Sequence, residues 1–523
     1  MKKIKNIMLL SLLAVVLSTT SCSDFLNVNT DPNRVTDANI TPDLIFTQAE
    51  NAVGVRQGTQ FVFLNNWMGY WARSGTFIPD QIETTYKIDN SFSETDWDQA
   101  YDILNDLYLT KTKAIAANDS VLAGASIVLS VKLWQETVDQ FGALPYKQAF
   151  DYAKHPTPAY DKAADIYTDL LAQLDQAVLY LHAVAPTSTF VKTDIIFARG
   201  GDLTTALGKW NRFANTIRLR LLLRQSEVLG SAPSAELAKI TANGGLLGAG
   251  EDVSVNPGYV NSATKQNPFY GAFGLTPAGA PASTDNMANN YFLSFIEVSQ
   301  DNDPRLDQFY QAPISGTDYG ALNGSISGNV VVGTSFGPGL LGTGSTGPTM
   351  DQFIMPAFES LFLQAEAVAR GWISGNVQTA YTKAVQEDFR WLNVTTTSTL
   401  LSGVAITDSI SNSYLNTNSK AQWINASTSF PTGSSAAESQ IYLIIYEKYI
   451  AMCGIDPVEA WSDLRRGVLI LDSHYLSNNK NRASSLPNVL TYPQSEFTTN
   501  HMSIPTPLRN TNSIFTEKLF WQP

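Results

Sequence analysis

The sequence predicts a mainly α-helical protein with a loop-rich, irregular subdomain and few short strands. Three observations carry this reading. Apolar residues recur at helical spacing in several long segments. Strand signals are few and short, residues 329–332 being one, and Gly, Ser, Thr, Asn and Pro gather in long stretches between the helical segments. The 523-residue chain is 44% hydrophobic and 15% charged, with a net charge of −13. Its apolar share excludes intrinsic disorder, and its length allows a large core. The acidic balance excludes nucleic acid as a partner, because phosphate binding needs a basic surface. Two cysteines, Cys22 and Cys453, supply neither a disulfide framework nor a multi-cysteine metal site.

Lys2, Lys3 and Lys5 form a basic start, followed by an apolar stretch over residues 7–17 in which Ser11 is the one polar residue. That is too short to span a bilayer, which needs about twenty residues. Residues 1–21 therefore read as a signal peptide. Its end, Leu17-Ser18-Thr19-Thr20-Ser21-Cys22, has the look of a bacterial lipobox, with cleavage before Cys22 and acylation of its thiol. The acyl chains would then be the membrane attachment. The second cysteine lies in Tyr449-Ile450-Ala451-Met452-Cys453 and reads as a small buried hydrophobe.

After a turn-rich tether, the helical segments follow, placed mainly within 45–250, 350–393 and 436–471 of a single domain, 22–523. Ile166, Leu170, Leu174, Ala177, Val178 and Leu181 form one stripe, after the start signals Pro158 and Asp161. Trp210, Phe213, Ile217 and Leu221 form another; Phe358, Leu361, Phe362, Ala365 and Ala369 form a third. An internal echo links Phe141-Gly142-Ala143-Leu144-Pro145, leading into Tyr146 and Ala149, with Gly371-Trp372-Ile373-Ser374-Gly375, leading into Tyr381 and Ala384. Small residues at crossings, and an aromatic three before an alanine, suit tetratricopeptide-like helical hairpins.

The loop-rich insertions are 251–349 and 395–435, with ten glycines between Gly316 and Gly347. Long decorated loops on a helical scaffold point to recognition. Gly333-Thr334-Ser335-Phe336-Gly337 matches a nucleophile elbow, and Gly337-Pro338-Gly339-Leu340-Leu341-Gly342 a dinucleotide fingerprint. Both patterns require a helix at once, and Pro338 and Gly339 argue against one, so both read as accidents of glycine density. His155, His182, His474 and His501 lack zinc spacing, and Asp303 reads as a turn cap rather than part of a calcium loop. A glycosidase carboxylate pair stays open, because its members can come from anywhere in the chain. Arg212, Arg218, Arg220 and Arg224 read as structural ion pairs with snorkelling stems.

One cluster suggests a ligand. Phe61, Phe63, Trp67, Tyr70, Trp71, Phe77 and Tyr86 interleave with Asn65, Asn66, Arg73, Asp80 and Gln81. If helical, Trp67, Tyr70 and Trp71 share one face. Ring faces beside amides and carboxylates suit a sugar, and Trp67, Tyr70, Trp71, Asp80 and Tyr86 are the expected contacts. Core packing is the competing reading of each ring.

As an ordered set, the residues resemble the SusD/RagB-like nutrient-binding lipoproteins of Bacteroidetes-type bacteria. The markers are Asn29-Thr30-Asp31-Pro32-Asn33, Asp139-x-Phe141-Gly142-x-x-Pro145-Tyr146, and Tyr160-Asp161 ahead of Ile166-Tyr167. They continue with Gly201-Asp202, Lys209-Trp210-x-x-Phe213-Ala214-Asn215 with Arg218-Leu219-Arg220, and Asp303-Pro304-Arg305-Leu306. The last are Glu359 to Arg370-Gly371, Glu447-Lys448-Tyr449-Ile450-Ala451, Glu459-Ala460-Trp461-Ser462-Asp463-Leu464-Arg465-Arg466, and Tyr492-Pro493-Gln494-Ser495-Glu496. The resemblance implies tetratricopeptide-like hairpins, no catalysis, no cofactor, and a place on the outer membrane. It also implies capping of a SusC-like TonB-dependent transporter to deliver an oligosaccharide or, in some relatives, a peptide. Asp24 alone stands for the acidic surface-export signal of such lipoproteins. A secreted hydrolase and a scaffold with only protein partners are the competing classes.

Overall fold

The computed structural model describes residues 40–73, 81–183, 190–296, 303–311, 320–321, 336–394, 404–423 and 434–523. The leader, Cys22, Phe77, Asp80, Ser335 and the strand signal at 329–332 lie outside the described residues. The scaffold opens with α1 (Pro42–Thr59) and the short α2 (Val62–Trp67). An antiparallel pair follows, α3 (Glu94–Ala116) and α4 (Ser120–Phe141), then α5 (Ala163–His182), α6 (Leu203–Arg224) and α7 (Ser234–Ala242). A second pair, α8 (Ala357–Ala369) and α9 (Val377–Trp391), is followed by α10 (Val404–Thr417), α11 (Ala436–Ala451) and α12 (Pro457–Arg465).

Helix α4 is the hub, packed against α1, α3, α5 and α6. It is long and apolar enough to cross a membrane, but its apolar window is 94% buried inside the fold, so it is a core helix. Asp119 caps its first turn through the Leu122 N–H at 3.1 Å, and Gly142, at φ 76°, ends it. Against α5 it presents Gly124. A Cβ there would lie 2.9 Å from Leu181 Cγ and 3.0 Å from the Ala177 carbonyl, so only glycine permits this crossing. The buried face of α5 is the stripe read from the sequence, with Tyr167 added. Helices α11 and α12 open on side-chain caps from Ser435 and Asp456.

Three small sheets tie the loops down. Strands β1 (Trp71–Arg73), β5 (Asn286–Asn289) and β6 (Gly320–Ala321) form one, β1 antiparallel and β6 parallel to β5. Strands β2 (Leu144–Pro145) and β3 (Tyr160–Asp161) pair, as do β4 (Val253–Val255) and β7 (Gln352–Met355).

The scaffold differs from the sequence reading in three places. The internal echo is not a structural repeat: Tyr381 and Ala384 lie in α9, whereas Tyr146 and Ala149 follow β2 in a turn, because pairing with β3 holds Leu144 and Pro145 extended. A four-residue helix does open at Pro338, and its Leu340 is buried. The 395–435 stretch carries α10, whose Ser411 and Tyr414 are buried inside a Ser- and Thr-rich sequence that reads as loop. The arginines of α6 make the structural ion pairs expected of them, and Arg218, Arg220 and Arg224 are buried as well.

Arg220 and Arg224 belong to a buried charge network. Arg220 meets Glu359 at 3.2 Å, Arg224 meets Asp139 at 3.0 Å and also pairs with Glu459, and Lys448 meets Glu459 at 3.1 Å and Asp463 at 2.9 Å. Arg466 bridges Glu366 at 2.9 Å and Asp463 at 2.7 Å. A second knot centres on Arg305, which reaches Asp303 at 2.6 Å, Asp388 at 2.7 Å and Glu447 at 2.8 Å. Buried charges are tolerated only when paired and hydrogen-bonded in this way. The marker residues from Arg218 to Arg466 are therefore largely the cross-ties of the helical scaffold.

Candidate functional site

The aromatic segment is where the sequence places ligand contacts, and the structure turns most of it inward. Helix α2 stops at Trp67. Gly69, at φ 76°, then swings the chain into β1, so Tyr70 and Trp71 do not continue a helix face. A Cβ on Gly69 would lie 2.7 Å from the Tyr291 ring, so glycine is required here both for its φ and for the close approach. Trp67, Tyr70, Trp71 and Tyr86 are 1%, 0%, 1% and 0% exposed. Their ring faces are occupied. Trp67 stacks on Phe92 at 5.9 Å, Tyr70 on Tyr449 at 4.7 Å and Trp71 on Phe336 at 4.3 Å, while the Tyr86 hydroxyl accepts the Ser477 N–H. This corrects the expected contacts: four of the five residues are core. Each large ring buries 150–250 Å² at roughly 25 cal/mol per Å², so a cluster of them drives its own burial.

What the same segment does present is a polar clasp at the end of β1. Arg73 Nη1 donates to Asn286 Oδ1 across the β1–β5 pair at 3.0 Å, and Nη2 donates to Glu83 Oε2 at 3.1 Å. Asn66 donates to Glu83 Oε1 at 2.8 Å. Beside Gly69, Tyr291 lies against Tyr475 with centroids 6.0 Å apart. His474 and Asp472 stand out from the surface, 86% and 66% exposed at their side chains and joined at 2.8 Å. Burial pushes the Tyr475 phenol up to about 12, so it stays a neutral donor at ordinary pH.

The small sheet is bordered by further ordered turns. Ahead of β5, residues 275–281 close a tight turn through Leu275 and Pro281, with the Thr276 N–H on the Ala280 carbonyl at 2.7 Å. Further in, the Asn267 side chain caps Tyr270 at 2.8 Å and donates to the Met350 carbonyl at 3.2 Å, knitting the two glycine-rich regions together. Arg73, Glu83, Asn66 and Asn286 thus form one bonded group, and Tyr291, Tyr475, Asp472 and His474 lie near one another beside Gly69; polar groups of these kinds suit hydroxyl-rich ligands. Sequence reasoning missed Asn286, Tyr475, His474 and Asp472, which are hundreds of residues from β1 and carry no local signal.

The described cysteine is not set up as a nucleophile. Cys453 is buried beside the Tyr310 hydroxyl at 3.3 Å, and burial pushes its thiol far above the ordinary value. Among the described residues, no three or more His, Cys, Asp or Glu side chains gather as a metal site.

A family profile described as SusD-like, starch-binding and associating with the outer membrane, matches residues 32–493. The chain belongs to the SusD-like family. Solved SusD-like structures share the fold. A SusD homolog from Bacteroides fragilis NCTC 9343 is 20% identical with a TM-score of 0.70, over 92% of this chain and 99% of that one. A chitin-binding SusD homolog from Flavobacterium johnsoniae is 21% identical with a TM-score of 0.70, over 92% and 98%. A SusD/RagB family protein from Bacteroides thetaiotaomicron VPI-5482 is 17% identical with a TM-score of 0.71, over 92% and 99%. Comparison with curated proteins finds no match. Several of the residues that marked the resemblance, among them Arg220, Glu359, Lys448, Glu459, Asp463 and Arg466, are members of the buried network.

Proposed function

We propose that this SusD-like protein is a surface-exposed outer-membrane lipoprotein, anchored through acyl chains on Cys22. It binds an oligosaccharide and delivers it to a SusC-like TonB-dependent transporter without turning it over. The observation that carries this is the family match across residues 32–493, whose description concerns starch binding at the outer membrane. The chitin-binding relative supports a saccharide as the ligand class. A lipid-anchored binder has no means of moving a hydroxyl-rich ligand through hydrocarbon, so a pore protein must complete transport. The ligand is received on the face around β1, β5 and β6, with His474, Asp472 and Asp80 as contacts. Arg73 and Asn286 hold the frame.

Isothermal titration with starch and chitin oligosaccharides tests the site. The His474→Ala, Asp472→Ala double variant should weaken binding about ten-fold, equal to about 1.4 kcal/mol, with an unchanged melting temperature because both side chains are exposed. Undiminished binding moves the site elsewhere. Cys22→Ala should yield an uncleaved or soluble product, read by mass spectrometry of the mature N-terminus. An unmodified N-terminus away from residue 22 removes the anchor.

A further inference from the structure

Away from the loop face, α9 and α10 enclose a pocket of about 240 Å³ that shares no residue with it. Its walls carry the side-chain amides of Gln378, Asn412, Asn416 and Gln422 and the Thr382 hydroxyl, with the half-buried Trp423 ring at one side; Gln378, Asn412 and Asn416 are exposed, and the Gln422 amide donates to the Asn416 carbonyl. Tyr381 and Leu415 complete the lining, and the Tyr381 hydroxyl is engaged on the Ala421 carbonyl at 2.7 Å. The Trp423 ring lies 5.5 Å from that of Tyr381 at 37°, which fixes its tilt. Asn412 accepts from Gln386 at 3.1 Å through its oxygen. The Gln378 and Asn416 side chains make no hydrogen bond among the described residues.

We propose that this pocket is a second saccharide subsite, selective for neutral sugars. The lining holds no group ionised at neutral pH, although the protein as a whole is strongly acidic. Primary amides offer both donors and an acceptor, as a sugar hydroxyl does, whereas carboxylates only accept and ammonium groups only donate. An acidic sugar finds no cation here and a basic one finds no carboxylate. A purely apolar ligand would strand the amides without partners. The aromatic ring supplies the face on which axial C–H bonds stack, beside the polar groups that orient the hydroxyls. The volume falls below the roughly 300–1,000 Å³ of pockets for drug-sized ligands, so the subsite takes the end of a chain or a single sugar. The neutral-sugar class rests on the oligosaccharide-binding reading above; the position of the pocket does not.

The test is ¹⁹F NMR on full-length protein labelled with 5-fluorotryptophan, with the Trp423 signal assigned by Trp423→Phe. Maltoheptaose, chitopentaose and an oligogalacturonate are the probes, and calorimetry on the same sample reports total binding. A neutral probe should shift the Trp423 signal, the oligogalacturonate should leave it unmoved, and Asn412→Ala with Asn416→Ala should weaken that shift about ten-fold. The effect should persist in the His474→Ala, Asp472→Ala variant. Calorimetric binding with an unmoved Trp423 signal overturns the subsite and leaves the saccharide reading standing. An equal response to the acidic probe overturns the selectivity. Binding of none of the probes overturns the subsite and the oligosaccharide reading together.

Discussion

Trp71 illustrates how residue-scale energetics separate core from site. Its ring is stacked on Phe336 and edged by Phe273 at 5.1 Å, and Gly454 packs beside it. Truncating a buried tryptophan costs about 3–5 kcal/mol through lost transfer energy and the cavity left behind. Trp71→Ala is therefore expected to lower the melting temperature strongly, by calorimetry or circular dichroism, whereas His474→Ala should leave it in place. A Trp71→Ala protein that keeps its stability but loses glycan would return this ring to the binding site. The aromatic density of the segment was legible in the sequence, but its burial was not. The partners that cover these rings, Phe336, Phe292 and Tyr449, come from segments more than 200 residues away. The spacing of 67, 70 and 71 suggests a shared face only while a helix continues, and Gly69 ends it. The buried thiol of Cys453, by contrast, was readable from its five-residue apolar run, because local composition alone decides so small a side chain.

Elements are held at their crossings by a few short-range features. Helices α4 and α5 approach at Gly124, so Gly124→Val should drive the helices apart and cost about 1–3 kcal/mol by overpacking, measured as a lower denaturation midpoint. The second crossing is electrostatic. Arg305 joins the turn at Asp303 to α9 through Asp388 and to α11 through Glu447, and Tyr414 of α10 lies within 3.0 Å. Arg305→Met removes one cation from three buried carboxylates, and breaking such a cluster costs about 3–5 kcal/mol; a melt within experimental error of wild type would show that the knot adds no stability. The apolar stripes of α5, α6 and α8 could be read directly because a period of 3.6 is local information. Helix α10 could not: its Ser- and Thr-rich sequence reads as loop, and it becomes a helix by packing Tyr414 against Phe389 at 5.3 Å.

At the scale of the whole molecule, the buried network links stability to pH. Burial pushes the Glu366 carboxyl up, but Arg466 and Arg370 together outweigh this and hold it at about 2. Unfolded, the same carboxyl titrates near 4.5, so the unfolded chain binds its proton more readily. Its stabilising contribution is therefore complete above about pH 4.5 and is lost as pH falls toward about 2. Asp456 acts in the other sense, since burial pushes it up to about 8. Comparing wild type with Glu366→Gln isolates the first effect: the gap in melting temperature should be widest above about pH 5 and narrow steadily toward about pH 3. A gap independent of pH would mean that Glu366 is not ionised in the folded state. The family was legible and the ligand was not for a physical reason: cross-ties such as Glu459 and Arg466 sit in short charged runs along the helices, whereas the candidate site residues are scattered and shaped by loops. On the function proposed above, the protein captures an oligosaccharide and returns it intact. Incubating full-length protein with end-labelled starch oligosaccharides, then chromatographing both the bound and the released sugar, tests that directly. Saturable retention with every chain recovered at its original length is the expected result; shortened chains, above all if Ser335→Ala abolishes them, or no retention at all would contradict it.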